Sequence, residues 1–316
     1  MKICVTGGAG FIGVNFLRYM VKKYPEIQFV CIDSLTYASS LLGLDYLSKC
    51  QNFVFVKADI TDKETINKLF YYNNFDIVIN FAAETHVDNS IKNPNIFVHT
   101  NVLGTQILLE ACRIHSIKRF HQISTDEVYG DLQLNSNFKF TENTPIKRSS
   151  PYSASKASAD LIVMSYFRTF NLPVTISRCS NNYGPYQHKE KLIPLVIDKA
   201  RNNQPIPVYG NGCNIRDWIH VHDHNIAVER IIFDSIIGEI YNIGADEPKS
   251  NLEVVQTILR IMGKSESLIT FVKDRAGHDL KYYIDNTKLV TNFKWSPLYN
   301  FEQGIRDTIK WYCDEN

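Results

Sequence analysis

A tyrosine and a lysine, Tyr152 and Lys156, lie one helical turn apart in the run PYSASK that begins at Pro151. On a helix this spacing places both side chains on the same face. An isolated tyrosine titrates at about 10, and a neighbouring ammonium favours its ionised form, so Tyr152 is a candidate base. The spacing alone proves little, because Tyr19 and Lys23 repeat it in a helix that we interpret as structural.

Two adjacent acids, Asp126 and Glu127, stand in the segment STDEVYG that begins at Ser124. The segment ends a predicted strand, and open α/β sheets present catalytic groups at the carboxyl ends of their strands. One carboxyl held protonated and the other held ionised would supply a general acid and a general base. A solvated acidic turn is the alternative for an isolated Asp-Glu pair. The nearby Tyr-Lys pair favours the catalytic interpretation.

A glycine-rich segment, VTGGAGFIG, joins the first predicted strand to the first predicted helix. Gly7 would permit the tight turn, Gly10 would let backbone amides approach a pyrophosphate, and Gly13 would let helix and strand pack closely. Asp33 ends the second predicted strand, where a carboxylate accepts a hydrogen bond from a ribose 2′-hydroxyl and repels a 2′-phosphate. A turn that serves packing alone is the alternative, but the placement predicts a dinucleotide site that prefers NAD to NADP.

The elements that must position these residues alternate along the first half of the chain. Strands separated by helices imply a parallel sheet with helices on both faces, so we predict an α/β fold with a doubly wound, Rossmann-type sheet and a smaller C-terminal α+β substrate lobe. Strands are predicted at 3–6, 29–33, 53–59, 77–82 and 120–125. Helices are predicted at 11–23, 62–72, 94–115, 152–170, 190–202, 222–235, 251–262 and 301–313.

The alternation of strands and helices weakens after Arg178, where Gly, Pro and Asn begin to cluster. We therefore expect residues 1–178 to form the NAD-binding domain with the catalytic residues. Residues 179–316 would form mainly the substrate lobe, and some of their segments would return to the first domain.

Composition narrows the possible partners of the chain. Its 316 residues carry 34 Lys and Arg against 33 Asp and Glu, without a basic stripe, which argues against nucleic-acid binding. The seven cysteines form no CxxC pair, so we expect reduced thiols and no metal site. Neither a signal-peptide pattern nor an apolar run near the roughly 18 residues of a membrane span is present. We expect a cytoplasmic protein that does not bind membranes.

Taken together, these motifs and their order resemble the extended short-chain dehydrogenase/reductase superfamily, and within it the dTDP-glucose 4,6-dehydratases, across nearly the whole chain. The pair Asp126-Glu127 distinguishes these dehydratases from other enzymes of the superfamily. Epimerases of the superfamily usually have small hydroxyl residues or alanine there, and decarboxylases and GDP-mannose dehydratases typically keep only the glutamate. Further similarity lies in the runs RCSNNYGP, EKLIP, IRDW and RAGHD.

The resemblance implies conversion of dTDP-glucose to its 4-keto-6-deoxy product, with hydride passing from C4 to NAD and back to C6. Tyr152 would take the proton of the 4-hydroxyl, and Thr125 would hydrogen-bond the same oxygen. Glu127 would remove the C5 proton while protonated Asp126 donates to the departing 6-hydroxyl. The catalytic set is completed by Lys156. The implied cofactor-binding residues are Gly7, Gly10, Phe11, Ile12, Gly13, Asp33, Asp59, Ile60, Phe81, Ala82, Ala83, Thr100, Tyr152 and Lys156. The implied substrate-binding residues are Thr85, Asn181, Lys191, Arg216, Asn251, Arg275, His278 and Tyr282.

The sequence departs from the family's usual pattern at three sites. Asn89 stands where arginine is common, His188-Lys189 where an aromatic-proline pair is frequent, and Ala276 where proline is usual. The nucleotide base therefore stays open among dTDP, UDP and CDP. A UDP-sugar epimerase or decarboxylase would share the NAD site without needing the acid at position 126. A non-catalytic NAD-binding regulator is the alternative from a different class.

Relatives also suggest a homodimer in which the two longest predicted helices form a four-helix bundle, although burial against their own core is the simpler local explanation.

Overall fold

The computed structural model describes residues 1–147, 149–274 and 277–314. The strands are β1 (Lys2–Thr6), β2 (Gln28–Asp33), β3 (Phe53–Lys57), β4 (Ile77–Asn80), β5 (Arg119–Thr125), β6 (Val174–Cys179), β7 (Asn181–Tyr183), β8 (Ile206–Tyr209), β9 (Ile215–His220), β10 (Ile240–Ile243), β11 (Pro248–Ser250) and β12 (Ile269–Val272). The helices are α1 (Phe11–Lys23), α2 (Leu41–Ser48), α3 (Lys63–Asn73), α4 (Val87–Lys92), α5 (Pro94–Phe97), α6 (Thr105–Ile114), α7 (Pro151–Phe170), α8 (Leu192–Arg201), α9 (Val221–Asp234), α10 (Asn251–Met262), α11 (Thr287–Phe293) and α12 (Phe301–Asp314).

The central sheet of the described residues has seven strands in the order β3-β2-β1-β4-β5-β6-β10, and every neighbouring pair is parallel. The chain moves outward from β1 in one direction and then outward from β4 in the other. This reversal leaves a crevice beyond the carboxyl ends of β1 and β4, where open sheets bind ligands. The predicted doubly wound parallel sheet is confirmed.

Helices cover both faces of this sheet because each helix buries one apolar stripe. On one face Leu17 and Met20 of α1 pack with Ile231 of α9. On the other face Leu108 of α6 packs with Val163 of α7. All five side chains are fully buried, so the helices shield both faces of the parallel sheet from water.

The second half of the chain adds a smaller lobe with its own apolar core. Its strands form a three-stranded sheet, β11-β9-β7, and a pair, β12-β8. Helices α8, α10 and α12 pack against these strands through residues such as Val196, Ile258 and Ile305. One strand of this half, β10, leaves the lobe and pairs with β6 at the edge of the central sheet.

The helix predicted over 94–115 is confirmed, since the chain is helical without a break from residue 94 to residue 114. Within it, α5 and α6 are joined by a π-helical segment at Val98–Gly104 that the sequence did not reveal. The π-helical segment carries the buried Asn101, whose side chain accepts a hydrogen bond from the amide of Glu84 and donates to its carbonyl. A side-chain periodicity near 3.6 does not reveal one extra residue in a turn. Helices α2, α4 and α11 were also missed, since each is short.

The spacing that Tyr19 and Lys23 share with the candidate catalytic pair has a structural explanation. Both side chains hydrogen-bond to the carboxylate of Glu229 on α9, and Lys23 lies 2.6 Å from it. The pair therefore ties α1 to α9.

Across the described ranges, no helix is long and apolar enough to cross a membrane. The seven cysteines are free thiols.

Candidate active site

A cavity of about 480 Å³ opens at the carboxyl ends of β1, β4, β5 and β6. Every predicted cofactor-binding residue and every predicted catalytic residue lines it. Of the predicted substrate-binding residues, Thr85, Asn181 and Lys191 also line it. The structure thus brings together side chains from both halves of the chain around one space.

The glycine turn between β1 and α1 forms one wall of the cavity, and it has no room for side chains. A Cβ added at Gly7 would lie 2.4 Å from the amide nitrogen of Ala82, and one at Gly13 would lie 2.4 Å from the carbonyl oxygen of Gly7. Gly7 also has a φ of +67°, which L side chains rarely adopt. The turn brings backbone amides and the start of α1 to the cavity surface, an arrangement that fits a pyrophosphate.

Asp33 is held at the end of β2 by backbone donors. One carboxylate oxygen accepts from the amide of Ala9 at 3.0 Å, and the other accepts from the amide of Leu35 at 2.8 Å. The carboxylate is 8% exposed and lines the cavity, so it faces the space where an adenosine ribose would lie.

The two acids reach the cavity because β5 ends in a tight turn. Thr125 and Cys179 are the last paired residues of β5 and β6. The Thr125 hydroxyl then accepts a hydrogen bond from the amide of Glu127, which begins the 3₁₀ turn Asp126–Tyr129. The turn directs both carboxyl groups toward the cavity lining.

Helix α7 brings the tyrosine and the lysine to the same cavity. It begins with Pro151 and a capping box, in which the Ser150 and Ser153 side chains each bond to the backbone amide of the other residue. This cap fixes the first turn of the helix, and that turn carries Tyr152. Lys156 follows one turn later on the same buried face.

Burial controls the protonation of the acid at position 126. Asp126 is 1% exposed, and burial raises its pKa well above the usual range, with the carboxylates of Glu127 and Asp217 adding to the effect. Its Oδ1 accepts from the Thr125 hydroxyl at 3.3 Å. Burial therefore favours the protonated form of Asp126, which is the form that can donate a proton.

The electrostatics of the Tyr-Lys pair differ from the sequence expectation. Burial raises the pKa of Tyr152 well above its usual value, and the Glu127 carboxylate raises it further, while the Thr125 side chain opposes the shift by hydrogen bonding. Burial also lowers the pKa of Lys156, whose ammonium donates to the carbonyl of Ile123 at 2.7 Å. Loss of solvation therefore outweighs the attraction of an ammonium for a phenolate.

Several buried polar atoms of the cavity wall lack hydrogen-bond partners among the described residues. Buried polar groups in folded proteins are nearly always paired, so such a set indicates a surface built to meet a polar ligand. The atoms belong to Ser124, Asp126, Ser180, Asn182 and Gln187.

Four predicted substrate-binding residues lie outside the cavity wall. Arg216 is 5% exposed and stacks over the ring of Tyr282 at 4.2 Å, and its Nη2 donates to the carbonyl of Asp279 at 2.8 Å. His278 lies 2.6 Å from Asp274. Asn251 begins α10. Arg275 lies outside the described residues.

Cavity residues that the sequence did not single out come mostly from loops. Glu84 has its pKa raised by burial and by the carboxylates of Glu190 and Asp59. Cys179 has its pKa raised to about 12, mainly by burial, and its thiol donates to the carbonyl of Ser124. The available signals were the position of Glu84 shortly after the strand predicted over 77–82 and the position of Cys179 in the run RCSNNYGP.

Two of the departures from the family pattern meet at Tyr37. The side-chain amide of Asn89 donates to the Tyr37 hydroxyl at 3.2 Å. The His188 ring packs edge-on against the Tyr37 ring, with 5.5 Å between the ring centres. Tyr37 also donates to Glu190 at 3.4 Å. These contacts connect Asn89 to His188 and Glu190, which line the cavity. The third departure, Ala276, lies outside the described residues.

Fold and site together define a Rossmann-type enzyme in which a Tyr-Lys pair and an Asp-Glu pair share one cavity. A family model described as GDP-mannose 4,6 dehydratase matches residues 4–308. The chain is 47% identical over 315 residues to a dTDP-glucose 4,6-dehydratase of Mycobacterium tuberculosis, covering 99% of this chain and 94% of that protein.

Solved structures give the same result. The dTDP-glucose 4,6-dehydratase of Bacillus anthracis, solved with NAD, is 44% identical with a TM-score of 0.93, and the match covers 99% of this chain and 97% of that one. DesIV, a dTDP-glucose 4,6-dehydratase from Streptomyces venezuelae, is 39% identical with a TM-score of 0.95 at the same coverage. The chain belongs to the 4,6-dehydratase family of the short-chain dehydrogenase/reductase superfamily, and the resemblance to its dTDP-glucose 4,6-dehydratases is confirmed.

Proposed function

We propose that this protein is a lyase that uses bound NAD to remove water from dTDP-glucose, which gives dTDP-4-keto-6-deoxyglucose. The observation that carries the proposal is the shared cavity, where two carboxyl groups, a phenol and a lysine lie beside the glycine turn. Relatives named dTDP-glucose 4,6-dehydratase, similar over nearly the full chain, support this substrate.

The glycine turn and Asp33 fit NAD. Gly7, Gly10 and Gly13 leave room for the pyrophosphate, and the Asp33 carboxylate would accept from the adenosine ribose. Bound there, NAD would accept a hydride from C4 of the hexose and return one to C6. Further contacts are proposed for Phe11, Ile12, Asp59, Ile60, Phe81, Ala82, Ala83, Thr100, Tyr152 and Lys156, all on the cavity wall.

The first stage depends on Tyr152. As base, its phenolate takes the proton of the sugar 4-hydroxyl, and the Thr125 hydroxyl beside it orients the same oxygen. Lys156 is anchored by its bond to Ile123 and keeps a cationic group on the same face of α7. A cationic group there favours the phenolate and so opposes the effect of burial on the Tyr152 pKa.

The second stage depends on the two acids. A carbonyl at C4 acidifies the C5 proton, so an ionised Glu127 can remove it. Asp126, whose protonated form burial favours, donates its proton to the departing 6-hydroxyl, which leaves as water. When hydride returns to C6, the proton held by Glu127 returns to C5. One carboxyl thus acts as base and its neighbour as acid because only Asp126 is so deeply buried.

The division of labour between the two halves is also a proposal. Residues 1–178 would bind NAD and perform the chemistry, and residues 179–316 would mainly bind the nucleotide sugar. Thr85, Asn181 and Lys191 are proposed as substrate contacts from the cavity wall. Arg216, Asn251, Arg275, His278 and Tyr282 are proposed as contacts to the nucleotide diphosphate, on family resemblance.

A homodimer in the cytoplasm is proposed as the working form. Several apolar side chains are exposed along the 94–114 segment and α7, which supports pairing of these helices with those of a second copy. They are Ile96, Val98, Leu103, Ile114, Leu161 and Phe170. A mass in solution equal to one chain would contradict the dimer.

The free thiols support a reducing compartment.

Product analysis tests the function. Purified protein is incubated separately with dTDP-glucose, UDP-glucose and CDP-glucose, and the chromophore that a 4-keto sugar develops in alkali is measured. We expect the chromophore with dTDP-glucose and much less with the other two. An epimerised or decarboxylated sugar nucleotide in place of a 4-keto product would reject the proposal. Thermal stabilisation by NAD with no turnover of any of the three would favour a regulator instead.

A further inference from the structure

A buried ion pair lies behind the cavity and belongs to neither proposed catalytic pair. Arg178 of β6 is 3% exposed, and its Nε donates to the carboxylate of Asp160 on α7 at 2.9 Å. Asp160 is 1% exposed and lies one turn beyond Lys156 on the same helix. The ion pair therefore attaches the helix that carries the Tyr-Lys pair to the central sheet.

The same guanidinium also contacts the turn that carries the two acids. Its carbon lies 4.8 Å from the centre of the Tyr129 ring, which ends the turn Asp126–Tyr129. Tyr129 is 1% exposed, and its hydroxyl donates to Asn242, the residue paired with Arg178 across β6 and β10. A planar cation thus lies between the two elements that present the proposed catalytic groups.

We infer that Arg178 is a positioning residue that sets the separation between the Asp126-Glu127 pair and the Tyr152-Lys156 pair, acting through Asp160 on one side and Tyr129 on the other. The inference rests on the proposed function, because only a reaction with two stages at two catalytic pairs needs both pairs held around one hexose. Arg178 itself touches no reacting atom.

Stability alone is a poor explanation for this arrangement. A buried ion pair often contributes little to folding, since the loss of solvation of two charges offsets their attraction, and apolar groups of similar size can replace it. A planar guanidinium, in contrast, fixes direction as well as distance. Its geometric effect can therefore be separated from its effect on folding.

The experiment replaces both charges together, as Arg178→Met with Asp160→Asn, so that no unpaired charge is left buried. A second variant, Tyr129→Leu, removes the ring and leaves the ion pair intact. The matched control is Arg119→Met. Arg119 lies at the opposite end of β5, where it donates to the carbonyls of Ile231 and Ser235.

Two rates are measured in single turnovers with dTDP-glucose. The first is the reduction of bound NAD, followed by absorbance, and the second is the formation of the 4-keto-6-deoxy product. We expect the double variant to slow product formation about 10- to 100-fold relative to NAD reduction, because a displacement near 1 Å costs about that much. Reduced cofactor then accumulates. Tyr129→Leu should do the same, and all three changes together should slow the second stage little further.

Each outcome decides the inference. Wild-type ratios of the two rates in both the double variant and Tyr129→Leu would overturn it. Equal slowing of both stages, in proportion to lost thermal stability as in Arg119→Met, would also overturn it, because that is the signature of a structural role. If the double variant does not fold, Tyr129→Leu decides alone. If the wild-type protein forms no 4-keto product, the proposed function fails, and the inference falls with it.

Discussion

Replacing Asp126 by asparagine tests the proposed general acid with little structural disturbance. Asparagine matches a protonated aspartic acid in size and charge, and it keeps the Oδ1 that accepts from Thr125. Because burial, Glu127 and Asp217 raise the pKa of Asp126, the neutral form of the carboxyl is favoured in the wild-type protein, as it is in the variant. We therefore expect the free energy of unfolding to change by no more than about 1 kcal/mol.

The Asp126→Asn variant should lose activity mainly in the stage that removes water. An amide cannot deliver a proton to the departing 6-hydroxyl, and a positioned general acid contributes roughly 10²- to 10⁴-fold. At 1.36 kcal/mol for each factor of ten, Asp126→Asn should raise the barrier to water loss by about 3 to 5 kcal/mol. Oxidation at C4 does not use this proton, so we expect its rate to change far less.

Single-turnover kinetics separate the stages. After dTDP-glucose is added, the absorbance of reduced nicotinamide should rise at nearly the wild-type rate and then persist, while 4-keto-6-deoxy product forms slowly. Asp131→Asn is the control, since Asp131 is an exposed acid of the following loop. Equal slowing of both stages, or weaker substrate binding with an unchanged elimination rate, would refute the reasoning.

Three further predictions concern other parts of the molecule. Tyr152→Phe should abolish reduction of bound NAD by the sugar, since the base is lost; normal reduction would reject its role. Gly7→Ala should lose NAD binding measured by calorimetry, because its Cβ would lie 2.4 Å from the Ala82 nitrogen, whereas Gly263→Ala has a similar φ with no atom within 4 Å and should retain it. Equal NAD binding by both variants would contradict the proposal that the glycine turn holds the pyrophosphate. Burial lowers the pKa of His224 to about 3 from 6.5, so stability is present above pH 6.5 and lost by about 1.4 kcal/mol per unit as pH falls toward 3. His224→Leu should reduce the measured slope by up to that amount in denaturant titrations, while the buried His121 and His220, whose pKa values burial also lowers, keep the remainder. An unchanged slope would exclude His224.

The sequence was sufficient to predict features whose residues all lie within one short segment of the chain. The glycine turn, the acid at the end of β2 and the alternation of strands and helices are all local, and they predicted the Rossmann-type sheet. The ends of α1 and α10 were also predicted correctly, as 11–23 and 251–262. Strand ends were less accurate. The strand predicted over 77–82 ends at Asn80, because the next residues leave the sheet and line the cavity.

Electrostatics and long-range contacts needed the tertiary structure. The spacing of Tyr152 and Lys156 suggested an ammonium that lowers the tyrosine pKa, but burial dominates and raises it. The identical spacing of Tyr19 and Lys23 proved structural only through Glu229, more than two hundred positions along the chain.

The sequence by itself determined the fold class, the glycine turn and the residue types of both proposed catalytic pairs, because these depend on backbone geometry and on neighbours within one turn or one strand. Only the tertiary structure decided which of these groups are buried, which carbonyl Lys156 binds, and that Arg178 lies between Asp160 and Tyr129. The physical reason is that desolvation and packing depend on what surrounds an atom in space, and in a parallel sheet those neighbours come from strands distant in sequence.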